Sequence, residues 1–303
     1  NTTQADKDGD GTGDVCDTAI PTTYGPFASA FDSTAADSVS YSGQTARQLL
    51  ILGLVKTAEG LKDDGSQTKA EIKASLQLYI TGNDKAVDSV NHGFTVKGGE
   101  EVTPGPTFGD ISKGKNLNGK IAGGNGSGGG EIKKLIGGEF FGFSDAVMAE
   151  GTTPIDVVNI IIDSIAEMTS DSEGFEIETA VGPATITYGK GTEVDEEGTN
   201  TRQVLQKFLL GAVNFSQLSN DYLRADFANQ LTQEDDKVYA GGEHNWDEAF
   251  GYYGAARDNN DYTDYEAAGK TPKDAAVAAG FKVPRAGWKN GYYDTNSDSL
   301  IDV

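Results

Sequence analysis

The sequence predicts a mainly α-helical protein organised as a helical bundle. Most apolar residues fall in stretches whose spacing matches one face of a helix, above all residues 44–62, 67–81 and 201–230. Thr153 as an N-cap, followed by Pro154 at the first helical position, marks the start of another helix. Because amphipathic helices bury their apolar stripes against one another, a bundle satisfies all of these segments together.

The helices are expected in a simple order along the chain. The turn Lys62–Gly65 lies between the first two, which predicts an antiparallel hairpin. Residues 131–149 return to helical spacing, and residues 157–165 are apolar nearly all round, which indicates a central core helix. The longest helix is expected from Thr201 to Gln230, and a further helix carries His244.

Three stretches read differently from the helices. Residues 21–43 contain scattered Ser and Thr and predict an extended linker ahead of a helical domain at 44–290. Residues 82–130 are rich in glycine and predict an exposed insertion, because ordinary connections are much shorter. No Gly-Lys-Ser/Thr follows its glycine run, which argues against a nucleotide-binding loop. Residues 170–199 are acidic, with a short strand expected at Ala184–Tyr188.

The overall charge restricts the class of partner. The formal net charge of the 303-residue chain is −23, so nucleic acid is not an expected partner, because phosphate binding needs clustered Lys and Arg. No apolar run reaches the ~18 residues of a membrane span. This balance is typical of a self-repelling protein or of one that collects cations.

The first 20 residues predict a calcium-binding loop. Acidic side chains recur at the spacing of an EF-hand loop, with Gly11 at the sixth position, where a sharp turn is needed. Position 7 of such a loop donates a backbone carbonyl, here that of Thr12. The predicted Ca²⁺ ligands are Asp6, Asp8, Asp10, Thr12, Asp14 and Asp17.

Residues 291–303 predict a second, incomplete calcium loop. Ser299 stands where the loop usually has glycine, and the twelfth position lies beyond the last residue of the sequence. A polar tail is the alternative interpretation. The predicted ligands are Asp294, Asn296, Asp298, Leu300 through its carbonyl, and Asp302.

The third candidate site is the helix that carries His244. At about 100° per residue, His244, Asp247 and Glu248 share one stripe. An imidazole with carboxylates at i+3 and i+4 suits iron or zinc. The opposite stripe, expected to pack, contains Trp246, Ala249, Phe250 and Tyr253.

Two other interpretations of this helix remain open. The polar stripe is either a solvated acidic face or a buried polar network. Gly251, Gly254 and Ala255 come behind it and leave room for a ligand or for a closely packed helix. The other histidine, His92, falls in the glycine-rich insertion and is expected at the surface.

The first 17 residues resemble a thrombospondin type 3 repeat, a calcium-binding module of extracellular proteins. The pattern is N-x-x-Q-x-D-x-D-x-D-G-x-G-D-x-C-D. The resemblance implies an oxidising, calcium-rich compartment. It also implies that Cys16, the sole cysteine of the sequence, pairs with a cysteine outside this chain.

A second resemblance covers about fifteen residues around His244. Gly242-x-His244-x-x-Asp247 is similar to the G-x-H-x-x-E motif of imelysin-like proteins, and the stretch W-D-E-A-F-G-Y-Y-G is similar to a family of secreted bacterial proteins. The resemblance implies a helical fold of bundle-like halves, an envelope or surface location and a link to iron or metal binding. Asp247 stands where the motif has Glu, and Glu248 follows it. The resemblance therefore does not decide which of these two carboxylates would bind the metal.

These observations support three functions in order of preference. The first is a secreted or cell-surface, calcium-binding protein that also binds iron or zinc at His244. The second is a Ca²⁺-stabilised subunit of an extracellular filament or surface layer, whose partners are other copies of the same chain or other surface proteins. The third is a metallopeptidase-like hydrolase, with Glu248 or Glu243 as general base. Catalysis ranks last, because no second histidine follows His244 in the order that zinc proteases use.

Overall fold

A computed structural model confirms a mainly helical architecture. The structure describes residues 23–62, 64–81, 83–93, 105–112, 114–122, 152–170, 175–186, 199–255 and 257. The α-helices are α1 (Ser42–Gly60), α2 (Lys69–Thr81), α3 (Phe108–Ser112), α4 (Pro154–Ser170), α5 (Thr201–Leu209), α6 (Ser216–Asn220) and α7 (Gly241–Tyr253).

Helix α1 is the centre of the packing. It contacts α2, α3, α5 and α7, and its Leu50, Leu54 and Ala58 are fully buried. Helix α2 also packs on α4, where Lys69 and Lys73 both form ion pairs with Asp163. Both helices lie where the sequence predicts them, since their apolar faces meet in the shared core.

Helix α4 begins as its sequence predicts. Asp156 accepts hydrogen bonds from both the backbone N–H and the hydroxyl of Thr153, at 2.9 Å and 2.6 Å. These two hydrogen bonds to one carboxylate fix the first turn. Val158 and Ile162 are fully buried, whereas Ile160 is 52% exposed, so one face of this apolar helix reaches solvent.

The segment expected to form the longest helix is interrupted. Helix α5 continues through a π-helical segment, Leu210–Phe215, into α6, and the helical run ends at Asn220. Two short 3₁₀ turns, Tyr222–Arg224 and Phe227–Asn229, follow. The prediction of a helix to Gln230 is therefore wrong beyond Asn220, because the backbone at Asp221 (φ −115°, ψ −77°) leaves the helical path.

A two-stranded antiparallel hairpin follows α4 in the chain. Strand β1 (Phe175–Thr179) pairs with β2 (Gly182–Ile186), with Thr179 opposite Gly182 at the turn. Gly182 has φ +116°, a conformation that favours glycine. The predicted strand at Ala184–Tyr188 overlaps β2. Its partner β1 escapes sequence analysis because the alternating glutamates give it an acidic composition.

The glycine-rich insertion contributes to the core. Phe108, Leu117 and Ile121 are fully buried, so the prediction of an exposed insertion is wrong for the described parts of 82–130. His92 is only 5% exposed, and its Nε2 lies 2.9 Å from the Gly105 carbonyl oxygen. The expectation that His92 lies at the surface is also wrong, because its ring packs edge-on against Phe108.

The described part of the predicted linker, residues 23–41, has no helix but is fixed on the bundle. The Tyr24 ring stacks on Phe250 of α7, with 3.8 Å between ring centroids. Arg257 donates a hydrogen bond to Asp37, at 2.6 Å. The segment therefore forms part of the surroundings of α7.

Within the ranges given above, no helix is both long and apolar enough to cross a membrane.

Candidate functional site

Helix α7 has a defined start and end. The Glu243 carboxylate accepts a 2.6 Å hydrogen bond from the backbone N–H of Ala240, which caps the first turn. Gly254 ends the helix in a left-handed conformation, with φ +77°. Glu243, one of the two suggested general bases, therefore serves as a helix cap.

Asp247 is buried under residues 23–41, which we call the N-terminal segment. It is 4% exposed and accepts hydrogen bonds from the Tyr24 hydroxyl at 2.6 Å and the Ser40 backbone N–H at 2.8 Å. Burial raises the pKa of Asp247, and these two hydrogen bonds oppose the shift without cancelling it. The pKa of Tyr24 is raised as well, mainly by burial and to a smaller extent by its hydrogen bond to Asp247.

His244 and Glu248 face a different space, between α7 and α1. His244 Nε2 lies 3.9 Å from Glu248 Oε2, and the Gln44 amide of α1 donates a hydrogen bond to the other oxygen of Glu248. The His244 ring stacks on Tyr239, with 4.5 Å between centroids. His244 Nδ1 is buried and finds no hydrogen-bond partner among the residues that the structure describes.

Two buried tyrosines and an arginine complete a group that we call the α1–α7 polar cluster: Gln44, Arg47, Tyr222, His244, Glu248 and Tyr252. The Tyr222 and Tyr252 rings stack with centroids 5.8 Å apart. Burial raises the pKa of both phenols, the Glu248 carboxylate adds to the increase, and the Arg47 guanidinium opposes it. Arg47 Nε and the Tyr252 hydroxyl are buried without a hydrogen bond of good geometry in the described chain.

The structure separates the three residues expected to form one metal site. His244 and Glu248 lie together, but Asp247 turns toward Tyr24 and Ser40, and both of its oxygens are engaged there. Among the residues described, no group of three or more His, Cys, Asp and Glu is placed to hold one metal ion. Within the described residues, His244 and Glu248 therefore form about half of a metal site.

The distance between His244 Nε2 and Glu248 Oε2 is close to the spacing of two ligand atoms on one metal ion. Two ligand atoms at about 2.1 Å from one metal lie roughly 3 to 3.5 Å apart at tetrahedral or octahedral angles. The 3.9 Å between Nε2 and Oε2 exceeds this by a few tenths of an ångström. Since the two side chains are 24% and 20% exposed, a small rotation of either side chain can close the gap.

The packing faces of α7 differ in part from those expected, since Ala249 is buried and Phe250 stacks on Tyr24, as predicted for the packed stripe. Trp246 and Tyr253, assigned to the packed stripe, are 53% and 65% exposed, whereas Asp247 is buried. The open alternative of a closely packed helix is correct. A Cβ on Gly251 would lie 2.7 Å from Gln44 Cβ and 2.8 Å from Tyr41 Cβ, so α7 approaches α1 through this glycine.

The remaining predicted sites lie outside the described residues. These are the N-terminal calcium loop with Asp6, Asp8, Asp10, Thr12, Asp14 and Asp17, the C-terminal loop with Asp294, Asn296, Asp298, Leu300 and Asp302, and the disulfide of Cys16. Both calcium loops and the disulfide stay predictions.

Sequence analysis missed most neighbours of His244 and Asp247. Gln44 and Arg47 are on α1, more than 190 residues before them in the chain, and Tyr24 lies in the predicted linker. One available signal was the spacing of Gln44 and Arg47 at i and i+3, since two polar side chains there interrupt the apolar face of α1.

Part of the chain, residues 142–269, matches a protein-family model. No curated protein and no solved structure was found to match the chain. The match covers β1, β2 and α4 to α7, and therefore His244, Asp247 and Glu248. Residues 142–269 are similar to a protein family described only as a domain of unknown function, DUF4856.

Proposed function

We propose that this chain is a secreted or cell-surface binding protein for a transition metal, with His244 and Glu248 as protein ligands. The observation that carries the proposal is the 3.9 Å approach of His244 Nε2 to Glu248 Oε2 at a partly exposed position. Imidazole and carboxylate together suit iron or zinc. Ligands supplied with the metal, or water, would complete its coordination.

The surroundings of the pair are compatible with metal ligation. A metal-ligating histidine normally hydrogen-bonds through its second ring nitrogen, as a structural histidine does, so the lack of a partner for His244 Nδ1 in the described chain does not distinguish the two roles. The Gln44 amide leaves one Glu248 oxygen free to face Nε2. Tyr222 and Tyr252 are not counted as ligands, because burial raises the pKa of both phenols.

Calcium has a separate place in the proposal. The two terminal loops are proposed to bind Ca²⁺ through hard oxygen ligands, which differ from the imidazole-containing pair at α7. Their ligand spacing and the net charge of −23 support this assignment. The proposal therefore combines Ca²⁺ sites in the two terminal loops with a transition-metal site on the helical domain of a secreted or cell-surface protein.

The experiment is a titration of metal-free protein with Zn²⁺ and, without oxygen, with Fe²⁺, in saturating Ca²⁺ so that the loops are occupied. The wild type is expected to bind one equivalent of at least one of these metals. His244→Ala should weaken that binding by at least about tenfold, because a ligand matters at least as much as the residues that orient it.

His92→Gln is the matched control, since the sequence has only two histidines. His92 contacts Gly105 and Phe108, away from α7, so this variant should keep the metal affinity once circular dichroism shows it folded. Absence of binding by the wild type, or equal binding by His244→Ala, would refute the proposed metal site.

A further inference from the structure

An open groove lies on the side of α7 that carries Asp247 and Trp246. It has a volume of about 670 Å³ and runs between the N-terminal segment and the chain that connects α6 to α7. Aromatic rings dominate its lining. We call it the aromatic groove, after the rings of Tyr24, Phe27, Phe31, Phe227 and Trp246 in its lining.

The aromatic walls of the groove are held in place by contacts with one another and with Asp247 and Phe250 of α7. Tyr24 is fixed by its stacking on Phe250 and by its hydrogen bond to Asp247. Phe27 packs edge-on against Tyr24, and Phe227 packs edge-on against Trp246, with centroids 5.4 Å and 5.8 Å apart. Aromatic side chains from three chain segments therefore line one space before any ligand arrives.

These rings are unusually open to solvent. Trp246 is 53% exposed, Phe27 46% and Phe31 38%. Large apolar side chains that gather at one concave surface, instead of being scattered singly, mark a binding site. The size of the groove falls within the range of small-molecule pockets, about 300 to 1,000 Å³.

The charges around the groove select the kind of ligand. Glu243 and Asp247 are its acidic lining residues, and the lining residues that the structure describes include no Lys, Arg or His. Glu243 is exposed at the edge of the groove, and the whole chain carries a net charge of −23. An anionic ligand would therefore meet like charge, whereas a cation gains attraction from the carboxylates and from the aromatic ring faces.

We propose that the aromatic groove binds an organic ammonium ion with apolar substituents, such as a quaternary or tertiary amine. The alkyl groups would contact Phe27, Phe31 and Phe227, and the positive centre would lie over the Trp246 face near Glu243. Aromatic rings with nearby acidic groups recognise alkylated ammonium ions in this way, because the ring quadrupole attracts a weakly hydrated cation.

This site is separate from the proposed metal pair. His244 and Glu248 face α1, whereas Glu243, Trp246 and Asp247 line the groove on the side of the N-terminal segment. The two proposals can therefore fail independently. Loss of metal binding in His244→Ala would leave ammonium binding intact, and the reverse holds for a change at Trp246.

The test compares three probes of nearly equal shape on the full chain: choline, its neutral isostere 3,3-dimethylbutan-1-ol, and the anion 3,3-dimethylbutanoate. Binding is followed by titration calorimetry and by tryptophan fluorescence. Choline is expected to bind about 3- to 30-fold more tightly than the neutral isostere, which is the range for a cation over aromatic rings. The anion should bind most weakly.

Two variants of exposed aromatic residues on α7 make the test specific. Trp246→Leu keeps an apolar side chain but removes the ring face, so it should abolish the preference for choline over the neutral alcohol. Tyr253→Leu is the matched control, since Tyr253 is 65% exposed and does not line the groove. Equal affinity for choline and the alcohol, no binding of choline, or an unchanged preference in Trp246→Leu would each overturn the proposal.

Discussion

The Tyr24 hydroxyl donates a 2.6 Å hydrogen bond to the Asp247 carboxylate, across 223 positions of the sequence. This contact fixes the N-terminal segment on α7 and turns the Asp247 side of the helix inward. It also gives the two neighbouring carboxylates different roles. Asp247 attaches the segment, while Glu248 faces His244.

Replacing Tyr24 by Phe should lower the free energy of unfolding by about 2 kcal/mol, the typical value of a hydrogen bond to a charged group. The stacking on Phe250 would remain, so the loss reports the hydroxyl alone. Urea denaturation measures it. Tyr253→Phe, at a side chain that is 65% exposed, should change stability by much less; equal losses in the two variants would contradict the assigned role.

The pH dependence of stability should carry a signature of Asp247. Burial raises the pKa of its carboxyl group in the folded protein above the ordinary value of about 3.9. The folded state then holds more protons than the unfolded state between these two values, so stability falls as the pH rises through this window. The destabilising contribution is fully present above the folded pKa.

Asp247→Asn removes this titration and tests the sign. The free energy of unfolding of the wild type, relative to that of Asp247→Asn, should increase as the pH is lowered through the folded pKa. Denaturant unfolding at a series of pH values supplies the comparison. A relative stability that stays constant, or decreases toward acid, would show that burial does not control this carboxyl group.

Gly251→Ala should destabilise the protein by about 1 to 3 kcal/mol, because the added Cβ would meet α1 at 2.7 Å from Gln44 Cβ. Gly211 is the control, since a Cβ there meets nothing within 4 Å. Gly211→Ala should be neutral or mildly stabilising. Thermal unfolding of the two variants distinguishes close packing of α7 from a general effect of replacing glycine.

Asp10→Ala should reduce the calcium affinity of the chain, because position 5 of the predicted loop donates a carboxylate oxygen. Calorimetric titration with Ca²⁺ measures the effect. Asp236→Ala removes an equal charge at an exposed position outside the loops and should leave the affinity nearly unchanged. Equal effects of both substitutions would indicate diffuse electrostatic attraction and not a loop site.

Local patterns predicted much of the fold. Helices α1, α2 and α4 follow from apolar spacing and from the cap formed by Thr153 and Asp156, which are properties of nearby residues. The end of α6 at Asn220 was missed, because apolar spacing continues through Tyr222 after the backbone leaves the helix. Burial of Phe108 was missed because glycine-rich surroundings suggested an exposed loop.

The candidate site shows a different limit. Helical periodicity places His244, Asp247 and Glu248 on one stripe of α7, but it does not determine that Asp247 turns to the N-terminal segment while Glu248 turns to α1 beside His244. This difference depends on Tyr24 and Ser40, which cover Asp247, and on Gly251, which admits α1 on the polar side. These partners are distant in sequence, so only the fold brings them together.

The most direct test of the account compares the two adjacent carboxylates in one metal titration. Glu248→Gln should reduce Fe²⁺ or Zn²⁺ affinity at least about tenfold, because it removes a charged ligand beside His244. Asp247→Asn should leave that affinity close to the wild-type value, since the Asp247 oxygens bind Tyr24 and Ser40. Loss of metal binding in Asp247→Asn with retention in Glu248→Gln would contradict the proposed site.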